Sequence, residues 1–128
     1  MSAGSGEFVI AIVDDDQAVL RSLQCLLESA DFEVRLFSSG VALLESGCLT
    51  EIDCLVSDLD MPGLDGFQLM GMVHTVRPGL PIILITGYPE TLQRLPPIAA
   101  DTVRCFTKPF QGAQLLAAID EGLRNPPR

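Results

Sequence analysis

The chain has 128 residues, enough for one domain around one core, and its 17 acidic against 8 basic side chains leave a formal net charge of -9. That charge argues against direct nucleic-acid binding by this segment, and no apolar run approaches the ~20 residues of a membrane span. Hydrophobic residues make up 48% and tryptophan is absent, so the core has to be aliphatic.

In chain order, Met1 to Gly6 is small and polar, without the basic-then-apolar order of a signal peptide, and residues 1–7 read as a flexible leader. Phe8 to Val13 is a short apolar run closed by Asp14, Asp15 and Asp16. Val19, Leu20, Leu23, Leu26 and Leu27 then recur at helical spacing, with Asp16 as the N-cap. Glu33 to Phe37 predicts a second strand, and Ser38 or Ser39 caps a second helix carrying Val41, Leu43 and Leu44. Cys54 to Ser57 predicts a third strand ending at Asp58, and Met61-Pro62-Gly63 forces a turn. A third helix is expected from about Gly66 to Val76, with Phe67, Met70 and Val73 on one face and Leu69 and Val76 beside it. Arg77-Pro78-Gly79 stops it, and Pro81 to Ile85 predicts the fourth strand, followed by Thr86. Between Tyr88 and Asp101, Pro96-Pro97 permits only a short helix ending near Arg94. Val103 to Thr107 predicts a fifth strand leading into Lys108-Pro109, and the last helix spans Gln111 to Leu123 with Leu115, Leu116, Ile119 and Leu123 inward. Residues 124–128 read as the start of a linker or tail.

Short apolar runs bounded by polar residues are the pattern of buried parallel strands. Five strand–helix units, joined by right-handed crossovers, predict a single-domain α/β fold with helices on both faces of a parallel sheet. The carboxyl ends of the strands then share one edge, where open α/β sheets bind ligands. Asp14, Asp15, Asp58, Thr86 and Lys108 all fall there, a set suited to divalent-metal binding and phosphoryl capture on an aspartate. Three carboxylates within ~5 Å repel by roughly 3 kcal/mol per pair at an effective dielectric near 20, so a cation has to offset them. Mg²⁺ suits a site of few carboxylates, a carbonyl oxygen and water. A carboxylate is already ionised near neutral pH and can act as a nucleophile without a general base.

Other residues carry simpler readings. Cys25, Cys48, Cys54 and Cys105 form no CxxC pair and read as reduced, mostly buried small hydrophobes. His74, the only histidine, reads as solvent-exposed on the third helix, and Met70 and Met72 as packing residues.

Val13-Asp14-Asp15-Asp16, Ser57-Asp58-Leu59-Asp60-Met61-Pro62-Gly63, Ile85-Thr86-Gly87 and Lys108-Pro109-Phe110 occur in this order, each at a strand end. Together they resemble the receiver (CheY-like) domain of bacterial two-component response regulators, over residues 8–123. The resemblance implies a flavodoxin-like (βα)5 doubly wound sheet of strand order 2-1-3-4-5. It implies a cytoplasmic signalling switch, not an enzyme beyond its own phosphorylation and dephosphorylation. A sensor histidine kinase or histidine phosphotransfer protein would supply a phosphoryl group to Asp58. Asp15 and Asp58, with the backbone carbonyl of Asp60, would ligate Mg²⁺ directly, and Asp14 mainly through water. Thr86 and Lys108 would contact the phosphoryl oxygens, Gly87 would leave room for them, and Lys108-Pro109 would be cis. Inward movement of Thr86 would alter the surface of the fourth helix, fifth strand and last helix. In the family that surface forms a homodimer or contacts an output domain, such as a helix-turn-helix DNA-binding module that regulates transcription.

Three features depart from the family pattern. Cys105 stands where an aromatic switch residue is usual, with Phe106 on the opposite face of the strand and Tyr88 as the available substitute. Pro96-Pro97 shortens the fourth helix, and the Asp60 side chain adds negative charge beside Asp58. Asp60 and Tyr88 are expected to tune dephosphorylation by controlling the attacking water. Two other functions are consistent with parts of the pattern: a pseudo-receiver interaction module that takes no phosphate, and a haloacid-dehalogenase-like phosphatase, suggested by Asp58-Leu59-Asp60.

Overall fold

In a computed structural model, which describes residues 8–94 and 103–124, five parallel strands form one sheet in the order β2-β1-β3-β4-β5. They are β1 (Val9–Val13), β2 (Glu33–Phe37), β3 (Cys54–Asp58), β4 (Ile82–Thr86) and β5 (Val103–Thr107). Four α-helices accompany them: α1 (Gln17–Ser29), α2 (Gly40–Ser46), α3 (Gly66–Val76) and α4 (Gly112–Arg124). Two 3-10 segments, Cys48–Thr50 and Pro89–Arg94, complete the described elements. The expected leader, Pro96-Pro97 and residues 125–128 lie outside the described residues.

The three inner strands are built from consecutive apolar residues because both of their faces are covered. Alternate side chains feed two clusters. Ala11, Val13, Leu55, Ile82 and Leu84 pack with Leu43 of α2 and Leu69, Met70 and Val73 of α3. Ile10, Ile12, Val56, Ile83 and Ile85 pack on the other face with Leu20, Leu23 and Leu27 of α1 and Leu115 and Ile119 of α4. Fully burying one such side chain stabilises the fold by roughly 1.5–3 kcal/mol. The expected two-sided parallel sheet and its strand order are therefore present.

Local chemistry fixes the helix starts. The Asp16 carboxylate accepts from the N–H groups of Ala18 (2.9 Å) and Val19 (3.3 Å) and caps α1 as expected. Ser39, of the two serines considered, caps α2 through the Ala42 N–H. Asp65 and Gln68 form a reciprocal capping box at α3. Gly66 lies so close to β3 that an added Cβ would meet Leu59 Cα at 2.7 Å and the Asp58 carbonyl oxygen at 2.8 Å. Gly63 takes φ 74° in the turn between them, a conformation that disfavours any side chain.

Several side chains depart from expectation. Val41 and Val76 are exposed, since each sits on the solvent side of its helix, and Met72 is exposed while Met70 is buried. Cys48 and Cys54 are buried, but Cys25 is exposed on α1 and Cys105 is half-buried; all four are free thiols. His74 is half-buried at the end of α3. β4 begins at Ile82 and includes Thr86, one residue later than expected, and α4 runs Gly112–Arg124 in place of Gln111 to Leu123. The segment after β4 is a 3-10 turn ending at Arg94. At the β2 edge of the sheet, Arg35 is paired with Glu33 at 2.8 Å and Glu51 at 3.3 Å, and Leu36 is partly exposed.

Candidate functional site

The carboxyl ends of β1, β3, β4 and β5 deliver the site. Asp14 follows β1 directly and is held to the neighbouring strand by its N–H, which donates to the Phe37 carbonyl at 3.1 Å. Asp58 is the last residue of β3, and Thr86 the last of β4. Lys108 follows β5, its N–H donating to the Thr86 carbonyl at 2.8 Å, and the Lys108-Pro109 bond is cis. The parallel register thus brings residues remote in sequence to one edge.

Carboxylate oxygens of Asp14, Asp15 and Asp58 lie within 4.8 Å of one another. Asp14 and Asp58 are buried, whereas Asp15 faces solvent. Each buried acid has one backbone donor two residues along: the Asp16 N–H reaches Asp14 Oδ1 at 2.9 Å, and the Asp60 N–H reaches Asp58 Oδ1 at 2.9 Å. The second oxygen of Asp58 faces Lys108 Nζ at 3.8 Å. These donors do not offset burial. Desolvation, helped by the nearby Asp58 charge, raises the Asp14 carboxyl to about 6 from 3.8. Desolvation also raises Asp58, against the opposing pull of the Asp60 N–H and Lys108. At 4.8 Å two carboxylates repel by roughly 3 kcal/mol at an effective dielectric near 20. An all-oxygen donor set with this surplus of negative charge fits a hard divalent cation such as Mg²⁺.

On the β4 flank of Asp58 the polar groups are paired. The Thr86 hydroxyl, fully buried, donates to the Asp60 carboxylate at 2.9 and 3.0 Å from its two oxygens. The Gly87 N–H donates to Asp60 Oδ2 at 2.9 Å, and the Tyr88 N–H to Thr86 Oγ1 at 3.0 Å. Thr91, which carries no sequence signal, places its hydroxyl 3.2 Å from that of Thr86 and donates to the Tyr88 carbonyl at 2.7 Å. Gly87 borders open space, and the Tyr88 side chain is exposed. Cys105 does not join this edge. It sits in mid-strand opposite Leu84 and packs toward the α2–α3 face, while Phe106 packs toward the α1–α4 face and stacks obliquely with Phe110 at 5.9 Å.

The chain is similar to known proteins over most of its length. The response regulator receiver domain model matches residues 10–120. The response regulator protein TmoT of Ectopseudomonas mendocina is 36% identical over 122 residues, covering 95% of this chain and 56% of its own length. The transcriptional regulatory protein FixJ of Bradyrhizobium diazoefficiens is 35% identical over 115 residues, covering 90% of this chain and 56% of its own. The solved BeF3-activated DrrB receiver domain superposes with a TM-score of 0.81 at 27% identity, covering 92% of this chain and 98% of that one. The chain spans about half the length of the curated relatives it matches. With its motifs assembled at one sheet edge and the family model spanning nearly all of it, the chain belongs to the response regulator receiver domain family.

Proposed function

We propose that this receiver domain accepts a phosphoryl group on Asp58 from a phosphohistidine of a sensor kinase or phosphotransfer protein. The observation that supports this most is the setting of Asp58: buried at a strand end, one oxygen fixed by the Asp60 N–H and the other facing the Lys108 ammonium. In the transfer, that carboxylate forms a bond to phosphorus, the phosphorus–nitrogen bond of the donor breaks, and the imidazole leaves with the electron pair. Fixing one oxygen orients the carboxylate for in-line attack, and Lys108 offsets charge on the transferring group. Asp15, Asp58 and the backbone carbonyl of Asp60 would hold Mg²⁺, with Asp14 acting through an intervening water. When bound, Mg²⁺ supplies neutralisation of phosphoryl charge.

Thr86 would then turn to a phosphoryl oxygen, and the segment from Gly87 to Arg94, tied to it by the Tyr88 N–H, would follow. Exposed Tyr88 is the aromatic available to report this movement, since Cys105 lies away from the edge. The changed surface of the segment after β4, β5 and α4 would act on an output domain or a second copy. A DNA-binding output is in keeping with the name of FixJ as a transcriptional regulatory protein. No described helix is long and apolar enough to cross a membrane. The receiver match disfavours the phosphatase, and the complete set of Asp14, Asp15, Asp58, Thr86 and Lys108 disfavours a module that takes no phosphate.

Incubation with acetyl phosphate and Mg²⁺ followed by intact-mass measurement tests the reading. One phosphoryl group is expected, lost in Asp58→Asn and on chelation. Labelling that persists in Asp58→Asn would overturn the assignment.

A further inference from the structure

We infer that the Asp60 side chain is a positioning residue that competes with the incoming phosphoryl group for the Thr86 hydroxyl and the neighbouring Gly87 N–H. The inference rests on the reading of Asp58 as the acceptor. The Asp60 backbone is anchored, its N–H donating to Asp58 Oδ1 at 2.9 Å. From that anchor its carboxylate turns toward β4. There it takes both Thr86 contacts, at 2.9 and 3.0 Å, and the Gly87 N–H at 2.9 Å. It does not join the cluster of Asp14, Asp15 and Asp58.

A threonine hydroxyl has a single proton to donate. While that proton serves Asp60 it cannot serve a phosphoryl oxygen on Asp58, two residues away. An anion already bound to these donors therefore has to be displaced before the switch contact forms. Tyr88 and Thr91 extend the network into the 3-10 segment, so the backbone that has to move is tied to the same hydroxyl. Affinity for a phosphoryl-like ligand is then reduced by the fraction of molecules in which Thr86 is released.

Beryllium trifluoride with Mg²⁺ is a direct probe, and Tyr88, the only tyrosine in a chain without tryptophan, provides the fluorescence readout beside Thr86. Asp60 is exposed, so Asp60→Ala leaves the core intact. Asp60→Ala should lower the half-saturating concentration about tenfold, the scale of one charge-assisted hydrogen bond. In a Thr86→Ala background the same substitution should gain less than about threefold, because only the Gly87 N–H is still contested. An equal gain in both backgrounds, or no gain, would overturn the inference. The Gly87 amide in a ¹H–¹⁵N spectrum, with Mg²⁺ alone, reads the contact without any ligand and should move upfield in Asp60→Ala. Beryllium trifluoride binding with an unmoved Gly87 resonance sinks the positioning role alone. A wild-type chain that binds none, yet whose Gly87 resonance responds, sinks the acceptor reading and the positioning role with it.

Discussion

The two flanks of Asp58 are built on different terms. Toward β1, Asp14 and Asp15 add negative charge to a buried carboxylate, and Lys108 is the nearby cation, 3.8 Å from Asp58. Toward β4, Asp60 is also anionic, but its charge is met by the Thr86 hydroxyl and the Gly87 N–H. The first flank gains from a ligand of opposite charge without breaking a bond. The second flank can take a ligand only by giving up contacts it already has. The neighbouring acids thus divide between a surplus of negative charge and a filled hydrogen-bond network, although all are aspartates.

The largest test of that contrast is pH. The folded Asp14 carboxyl is raised to about 6, and Asp58 is raised in the same direction, so the folded chain binds protons more readily than the unfolded one. The sign follows: their destabilising contribution is present above pH 6 and is relieved as pH falls toward the unfolded value near 3.8. Urea unfolding of the metal-free protein should show stability rising by up to about 3 kcal/mol between pH 7.5 and 4. Saturating Mg²⁺ at pH 7.5 should remove most of that gain. A flat metal-free profile would show that the β1 flank carries no unmet charge.

A smaller effect probes what the flanks share. Gly66 approaches the Asp58 carbonyl and Leu59 Cα too closely for a side chain. Gly66→Ala should push α3 from β3 and cost about 2 kcal/mol in thermal or urea unfolding. The pH step should survive in this variant if the flanks depend on local charge alone. The smallest change is at the cap beside it: Asp65→Ala removes half of the capping box and should cost about 1 kcal/mol, with little change in either flank. A larger loss, or a shifted Gly87 amide, would mean that the start of α3 sets the direction of the Asp60 side chain.

Much of this was legible in the residues. Uninterrupted apolar runs such as Ile82-Ile83-Leu84-Ile85 mark strands covered on both faces, and their polar terminators mark the edge at which open α/β sheets generally bind ligands. Cap residues placed the starts of α1 and α2 because a side-chain oxygen beside free N–H groups is a local signal. The partner of Thr86 was not legible. Asp60 is two residues from Asp58, and whether its carboxylate turns to Asp14, Asp15 and Asp58 or to β4 depends on the loop through Met61, Pro62 and Gly63. Nor does an isolated Thr91 in an irregular segment announce its contact with Thr86. Val41 and Val76 misled for the opposite reason: short helices tolerate apolar residues on the wet side, which periodicity alone assigns inward.

The border of the sheet at β2 has a consequence for crowded solutions. A strand with open backbone groups invites a foreign strand to add to it, and the partly exposed Leu36 would favour that union. Arg35, clasped by Glu33 and Glu51, opposes it, because an intruding chain would have to strip water from three charges along the seam. Neutralising Arg35 would therefore be felt first as lost solubility, in a protein whose fold and chemistry were otherwise intact.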